Sequence, residues 1–181
     1  MKHFILPAGL LCLVAGAAPA APQSSPREPA PLRTVSHVDL ARYTGTWYEI
    51  ASYPQRFQKG CTATTAVYTL REDGTIEVVN RCNRDSLDGR ETIARGRARV
   101  VDHASNAKLE VSFFWPFWGA YWIIDLDPEY RFAVVGHPSR KYLWILSRTR
   151  TMDPPVYSAI LERLSAQGYD VSRLRVTIQP L

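Results

Sequence analysis

The chain has 181 residues, a formal net charge of +5, 46% hydrophobic residues and 22% charged residues. This length suits one domain with an adequate core, and the apolar content excludes a wholly disordered chain. Five Trp, nine Tyr and six Phe are many for this size, so the fold needs a large core, a cavity or an interface to hold them. The arginines are scattered along the chain, and we expect no nucleic-acid partner.

The N-terminus has the pattern of an export signal. Residues 4–18 are apolar, follow Lys2 and end in Ala18-Pro19-Ala20, a small-x-small cleavage pattern. The run is shorter than a transmembrane helix requires, and proline and glycine interrupt it. Residues 1–20 are therefore predicted to be a secretory signal peptide, which places the mature protein in the periplasm and leaves association with the outer membrane open.

Cys12 raises the alternative of a lipid anchor. Lipoprotein signals resemble Leu-small-small-Cys, whereas the bulky Leu11 precedes Cys12 and apolar residues continue beyond it. We therefore do not expect lipidation. Four prolines predict that residues 21–35 form a tether, and residues 36–181 are assigned to the folded domain.

Most of this domain consists of short strand-like runs separated by turn residues. They predict eight strands, at residues 46–53, 62–70, 75–81, 91–101, 108–114, 120–126, 131–136 and 142–148. Short connections favour antiparallel pairing of neighbours in sequence. The pattern indicates a closed up-and-down β-barrel with room for one small ligand, and a β-sandwich is the competing architecture.

The apolar spacing changes to a helical period after Asp153. Apolar residues at 156, 157, 160, 161 and 164 share one face, so we expect an amphipathic helix on the outside of the sheet. Asp153 is the predicted cap and Gly168 the predicted end. Residues 176–178 are a candidate closing strand.

Cys61 and Cys82 are the two cysteines of the mature chain. In an exported protein they have one intramolecular pairing available. They flank the turn at Asp73-Gly74, and a hairpin there places them opposite or one diagonal step apart. We favour a disulfide over two free thiols. Two thiols without a nearby His pair predict no metal site.

Three motifs identify a family. Gly45-Thr46-Trp47-Tyr48-Glu49 opens the first strand, Asp127-Pro128-Glu129-Tyr130-Arg131 forms a late turn, and residues 143–149 read Leu-Trp-Ile-Leu-Ser-Arg-Thr. In this order and spacing they resemble the lipocalins, most closely the bacterial outer-membrane lipocalins, with plant temperature-induced lipocalins and apolipoprotein D nearby. The resemblance implies an eight-stranded antiparallel up-and-down β-barrel with one external C-terminal helix.

The resemblance also implies a contact at the closed end of the barrel. Trp47 and Arg148, beside Gly45, are expected to meet there as a cation–π pair that closes the floor. If both point inward, strand alternation assigns further residues to the cavity wall. These are Glu49, Ala51, Tyr142, Trp144 and Leu146. Leu143 and Ile145 then face outward, under the helix.

Residues 113–122 are unusually aromatic. Strand alternation predicts that one of Phe113 and Phe114 faces the cavity, although the pattern does not separate them. Rings near Pro116 are expected at the barrel mouth as a portal or as a contact with a membrane or partner. The assigned portal residues are Trp115, Phe117, Trp118, Tyr121 and Trp122. The alternative is that these rings only pack over one barrel end.

The resemblance implies a carrier that stores or transports a fatty acid or lysophospholipid for membrane maintenance. We expect no cofactor and no catalysis, because the chain has no Gly-x-Ser-x-Gly and no His-Glu-x-x-His motif. Two alternatives are open. One is a lipocalin-fold enzyme with Glu49 as the candidate residue. The other is an interaction protein whose aromatic loop contacts a membrane or a second copy of the chain.

Overall fold

The structure is a computed structural model that describes residues 30–180. The predicted signal peptide, Cys12 and residues 21–29 of the predicted tether lie outside this range. The two α-helices are α1 (Leu40–Tyr43) and α2 (Pro154–Ala166). The strands are β1 (Gly45–Ser52), β2 (Cys61–Leu70), β3 (Ile76–Arg84), β4 (Glu91–Val100), β5 (Lys108–Phe114), β6 (Phe117–Leu126), β7 (Phe132–Gly136), β8 (Leu143–Ser147) and β9 (Arg175–Val176).

The first eight strands close into one antiparallel barrel. Each strand from β1 to β7 pairs with the next one along the chain, and β8 pairs with β1. Short strand β9 adds to β1 through Ala51 and Ser52. The predicted barrel is confirmed and the sandwich is excluded, because every strand belongs to one continuous sheet.

Alternation along the strands produces two separate apolar clusters. The inner cluster fills the barrel with residues such as Trp47, Tyr68 and Leu146. The outer cluster lies between β7, β8 and α2, where Ile160 and Leu164 of the helix pack with Leu143 and Ile145. The burial of each such side chain contributes about 1.5–3 kcal/mol, so one face of the sheet is stabilised by the helix that covers it.

Helix α2 begins and ends close to the predicted positions. Pro154 occupies its first turn, and Gly168 follows its end with a φ of +81°. This φ lies in the left-handed region that glycine adopts without strain. The predicted cap is wrong in one respect, because the Asp153 side chain makes no capping hydrogen bond.

The last residues of the predicted tether contact the barrel. Leu32 is buried in the outer cluster, and the Val35 amide donates to the Ile123 carbonyl at 3.0 Å. An apolar side chain that finds an apolar surface leaves water even in a proline-rich segment. Packing on the barrel therefore begins before residue 36.

The predicted disulfide is confirmed. Cys61 and Cys82 are bonded across β2 and β3, with their Cα atoms 5.4 Å apart. The chain-entropy relation gives about 3 kcal/mol of stabilisation for a loop of this size. Within residues 30–180, no helix combines the length and apolar character needed to cross a bilayer.

Candidate ligand-binding site

The closed end of the barrel is built around Arg148. Its guanidinium carbon lies 3.8 Å from the centroid of the Trp47 ring. The same guanidinium donates to the carbonyls of Thr46 at 2.9 Å and Arg42 at 2.7 Å. A Cβ at Gly45 would lie 3.4 Å from Arg148 Nη1. The structure thus brings together the three residues assigned to the floor, and helix α1 closes it.

Three tyrosines fill the interior above this floor. The Tyr43 and Tyr121 hydroxyls are 2.8 Å apart, and the Tyr121 hydroxyl donates to that of Tyr68 at 2.9 Å. Burial raises the pKa of Tyr68 to about 12 and holds the pKa values of Tyr43 and Tyr121 well above their usual range. All three phenols are therefore neutral hydrogen-bonding groups at physiological pH.

This closed half has little free volume. Next to the tyrosines lies a cavity of about 10 Å³ whose walls are Ile76, Val78, Ala98, Leu109 and Val111. Such a volume holds about one water molecule. The position of Tyr121 corrects its assignment to the portal, because its side chain points into the barrel and away from the mouth.

An aromatic wall lines the open half. Trp144 faces the interior opposite Val135, and its ring stacks on that of Tyr142 with centroids 6.1 Å apart. Its indole Nε1 donates to Gln58 Oε1 at 2.9 Å. Phe113 belongs to the inner cluster and is close to Gly96, where a Cβ would lie 2.8 Å from the ring. Leu146 is buried in the same cluster.

Glu49 is a buried carboxylate among neutral donors. It is 5% exposed and accepts from Gln58 Nε2 at 2.8 Å, from Ser52 Oγ at 3.0 Å and from Thr177 Oγ1 at 2.5 Å. No Arg or Lys of residues 30–180 lies within salt-bridge distance of it. Both carboxylate oxygens accept hydrogen bonds. Glu49 thereby joins β1, the β1–β2 loop and the C-terminal segment.

Ala51 does not line the cavity. The pairing of β1 with β8 shifts between Glu49 and Ala51, so that Ala51 lies opposite Ile145 in the outer cluster. Ser52 then takes the inward position opposite Trp144. A β-bulge inserts one residue and reverses the alternation beyond it. Ser52 and Gln58 are the site residues that the sequence pattern did not identify.

The aromatic segment is divided among three environments. Phe114, Trp115 and Phe117 are 80%, 86% and 76% exposed at the tip of the β5–β6 hairpin. Phe114 is therefore not a cavity residue. Its neighbour on β5, Phe113, is the inward member of the pair, and strand alternation directs Phe114 to the opposite face.

Two of the assigned portal residues lie on the outer wall. The Arg99 guanidinium lies 4.2 Å from the centroid of the Trp118 ring, and the Lys108 ammonium lies 4.9 Å from that of Trp122. Trp122 also packs against the outer cluster. The Lys108 ammonium comes from the adjacent strand β5, and the Arg99 guanidinium reaches Trp118 from β4, across β5. Both rings are therefore on the outer wall and do not face the mouth.

The mouth carries one further exposed ring. The connections β1–β2, β3–β4, β5–β6 and β7–β8 share one end of the barrel, because neighbouring strands are antiparallel. Phe57, in the first of these connections, is 61% exposed. Arg56 and Lys59 flank it and are exposed as well. The mouth therefore combines exposed aromatic rings with positive charge.

Comparisons with known proteins agree with this architecture. A lipocalin-like domain model matches residues 38–179. The chain is 44% identical over 158 residues to the outer membrane lipoprotein Blc of Escherichia coli (strain K12), covering 87% of this chain and 88% of that protein. It is 42% identical over 157 residues to temperature-induced lipocalin-1 of Arabidopsis thaliana, covering 82% and 83%.

Solved structures share the fold at lower sequence identity. Insecticyanin from the tobacco hornworm Manduca sexta superposes with a TM-score of 0.67 at 20% identity, covering 86% of this chain and 88% of that one. At this identity the likeness concerns the arrangement of the strands alone.

Proposed function

The chain belongs to the lipocalin family, and from that premise we propose that it binds one acyl-chain lipid, a fatty acid or a lysophospholipid, in the open half of its barrel. The observation that carries the proposal is that two aromatic side chains facing the interior nearer the mouth, Trp144 and Phe113, are only half-buried. Aromatic surface is thus accessible inside the mouth.

Binding of this kind requires no bond chemistry. Each methylene that leaves water for an apolar wall contributes about 0.8 kcal/mol. Several methylenes together outweigh the loss of translational and rotational freedom and support micromolar affinity. The filled interior around Tyr43, Tyr68 and Tyr121 limits how deep the acyl chain can enter.

Trp144 offers a direct test of the ligand position. A saturated fatty acid titrated into the protein should quench its tryptophan fluorescence in a saturable way, and Trp144→Phe should remove most of that change. Trp122→Phe is the matched control, because Trp122 lies on the outer wall. Quenching that persists in Trp144→Phe and disappears in Trp122→Phe would place the ligand outside the barrel.

We further propose that the protein is exported and meets lipid at the envelope membrane with its mouth. Exposed rings at the hairpin tip and at Phe57, together with Arg56 and Lys59, supply the apolar and cationic contacts that an anionic bilayer surface attracts. Relatives named as outer membrane lipoproteins support the location. A lipid could then pass between bilayer and cavity without crossing water.

Vesicle sedimentation tests this contact. Trp115→Ser with Phe117→Ser should abolish association with vesicles that contain phosphatidylglycerol, while Trp118→Ser, on the outer wall, should retain it. Light scattering of the same proteins distinguishes the alternative. If the double substitution converts a dimer to a monomer and leaves vesicle binding unchanged, the hairpin is a contact between two copies.

A further inference from the structure

Three buried polar side-chain atoms have no hydrogen-bond partner among residues 30–180. They are Thr64 Oγ1, Asn80 Oδ1 and Gln179 Oε1. Buried polar atoms are nearly always paired in folded proteins, because an unpaired one has lost its bonds to water without compensation. Three such atoms in one region indicate a place where a polar group of a ligand is accommodated.

Two of them lie on adjacent strands of the inner wall. Thr64 is 7% exposed and precedes Ala66 by two residues on β2, so both face the interior. Asn80 of β3 pairs directly with Ala66. Thr64 and Asn80 are therefore diagonal neighbours on one face of adjacent strands. Both are nearer the mouth than Tyr68, since β2 begins at the open end.

Gln179 reaches the same region from the C-terminus. Strands β1 and β2 pair only from Gly45 to Tyr48, and the C-terminal segment bridges them beyond that point. Gln179 Nε2 donates to the Glu49 carbonyl at 2.8 Å and to the Thr64 carbonyl at 2.9 Å. Because both partners are acceptors, the amide orientation is determined, and Oε1 is the atom left unpaired.

The chemistry of this region is dominated by hydrogen-bond acceptors. Asn80 and Gln179 contribute carbonyl oxygens, and Thr64 contributes a hydroxyl. Gln179 is bonded to the backbone carbonyl of Glu49, and the Glu49 carboxylate accepts from Thr177, two residues before Gln179. Within residues 30–180, no Arg or Lys pairs with Glu49. The donors that an anionic group meets here are the Thr64 hydroxyl and the Asn80 side-chain NH2, whereas the surrounding oxygens of Asn80, Gln179 and Glu49 are acceptors.

We propose that Thr64, Asn80 and Gln179, beside Glu49, form a headgroup subsite that selects lipids by hydroxyl or ammonium donors and disfavours a free carboxylate. The inference rests on the proposed function and narrows it, because it makes a single-chain lipid with a donor-bearing headgroup the preferred ligand. The acyl chain then contacts Trp144 and Phe113, and the donors of the headgroup bind the three unpaired oxygens.

Three ligands with the same acyl chain test the selection: 1-lauroylglycerol, methyl laurate and laurate. The expected order places 1-lauroylglycerol about tenfold or more tighter than the other two, as a polar site discriminates against analogues that leave its groups unpaired. Equal dissociation constants for the three would overturn the subsite and leave the carrier function standing. No saturable binding of any of them would overturn the carrier function itself.

Substitutions locate the selection. Thr64→Val keeps the side-chain shape, and Asn80→Leu removes the amide; together they should reduce the preference to about threefold or less while leaving methyl laurate affinity unchanged. Thr65→Val, on the opposite face of the same strand, is the control. An undiminished preference in the double variant would overturn the assignment. If the double variant does not fold, the order of the three ligands on the unaltered protein decides the question.

Discussion

The Trp144 indole donates a hydrogen bond of 2.9 Å to the side-chain amide of Gln58, 86 residues away in sequence. Gln58 in turn donates to Glu49 at 2.8 Å. Gln58, in the loop between β1 and β2, therefore links Trp144 on the inner wall to the buried Glu49 carboxylate. The position of the Trp144 ring depends on a loop that is itself at the surface.

Removal of the Gln58 amide should therefore affect both stability and binding. Gln58→Leu deprives a buried Glu49 oxygen of its donor, and loss of such a partner costs about 1–3 kcal/mol of unfolding free energy. The fluorescence maximum of Trp144 should shift, because its N–H loses an acceptor. Denaturant melts and emission spectra measure the two effects. Gln55→Leu, in the same loop, is the control and should change neither by a comparable amount.

Arg148→Lys should weaken the closed end. A lysine ammonium cannot stack on Trp47 and reach the carbonyls of Thr46 and Arg42 at once, whereas the planar guanidinium does both. We expect a loss of about 1–3 kcal/mol in unfolding free energy. Arg150→Lys is the control, because the Arg150 guanidinium lies 5.6 Å from the Tyr48 ring on an exposed side chain. Equal stability of both variants would show that the floor depends on charge alone.

Asp127 should make stability depend on pH in acid. Hydrogen bonds from Arg131, at 2.9 and 2.8 Å, hold the pKa of this buried carboxyl below its ordinary value. A carboxyl with a lowered pKa stabilises the fold above its unfolded pKa of about 4, and this stabilisation disappears as the pH falls through the lower folded value.

The size of this effect is limited by the exposure of Arg131, which is 76% in its side chain. We expect about 1 kcal/mol. Asp127→Asn should be less stable at pH 7 and approach the unaltered protein below pH 3 in thermal melts. Asp88→Asn, on an exposed turn, should follow the unaltered protein throughout. A constant difference between Asp127→Asn and the unaltered protein at every pH would contradict the ionic origin.

Gly136 is a site of close packing between the barrel and the C-terminal segment. A Cβ there would lie 2.2 Å from Tyr169 Oη and 3.0 Å from Ile124 Cδ1. Gly136→Ala should cost about 1–3 kcal/mol, since overpacking forces neighbours out of place. Gly119→Ala is the matched control, because its nearest contact would be an ordinary 3.9 Å. Equilibrium unfolding of the two variants gives the comparison.

The alternation of side chains along a strand identified the cavity-lining residues only where the strand has no bulge. Trp144 and Leu146 face inward as the pattern along β8 predicts, because no bulge interrupts that strand between them. Ala51 faces outward because an extra residue enters β1 just before it. Nothing in the residues from Glu49 to Ser52 marks that insertion, so the sequence alone assigned the wrong residue of the pair Ala51 and Ser52.

Long-range contacts account for the other differences. Phe113 and Phe114 became distinguishable only when the hairpin position was known, and Trp118 and Trp122 contact cations of β4 and β5 on the outer wall. The contacts of Thr177 and Gln179 with the open seam between β1 and β2 span 128 and 130 residues of sequence. Periodicity carries no information about such distant pairs.

The most direct test of the carrier account is native mass spectrometry of the protein purified from its own host without delipidation. The account predicts one bound lipid per protein chain, with the mass of a lipid that carries a single acyl chain. Ser52→Trp, which places a large side chain opposite Trp144, should abolish this binding. A protein that appears only at its own mass, and takes up no lipid after incubation with vesicles of envelope composition, would contradict it.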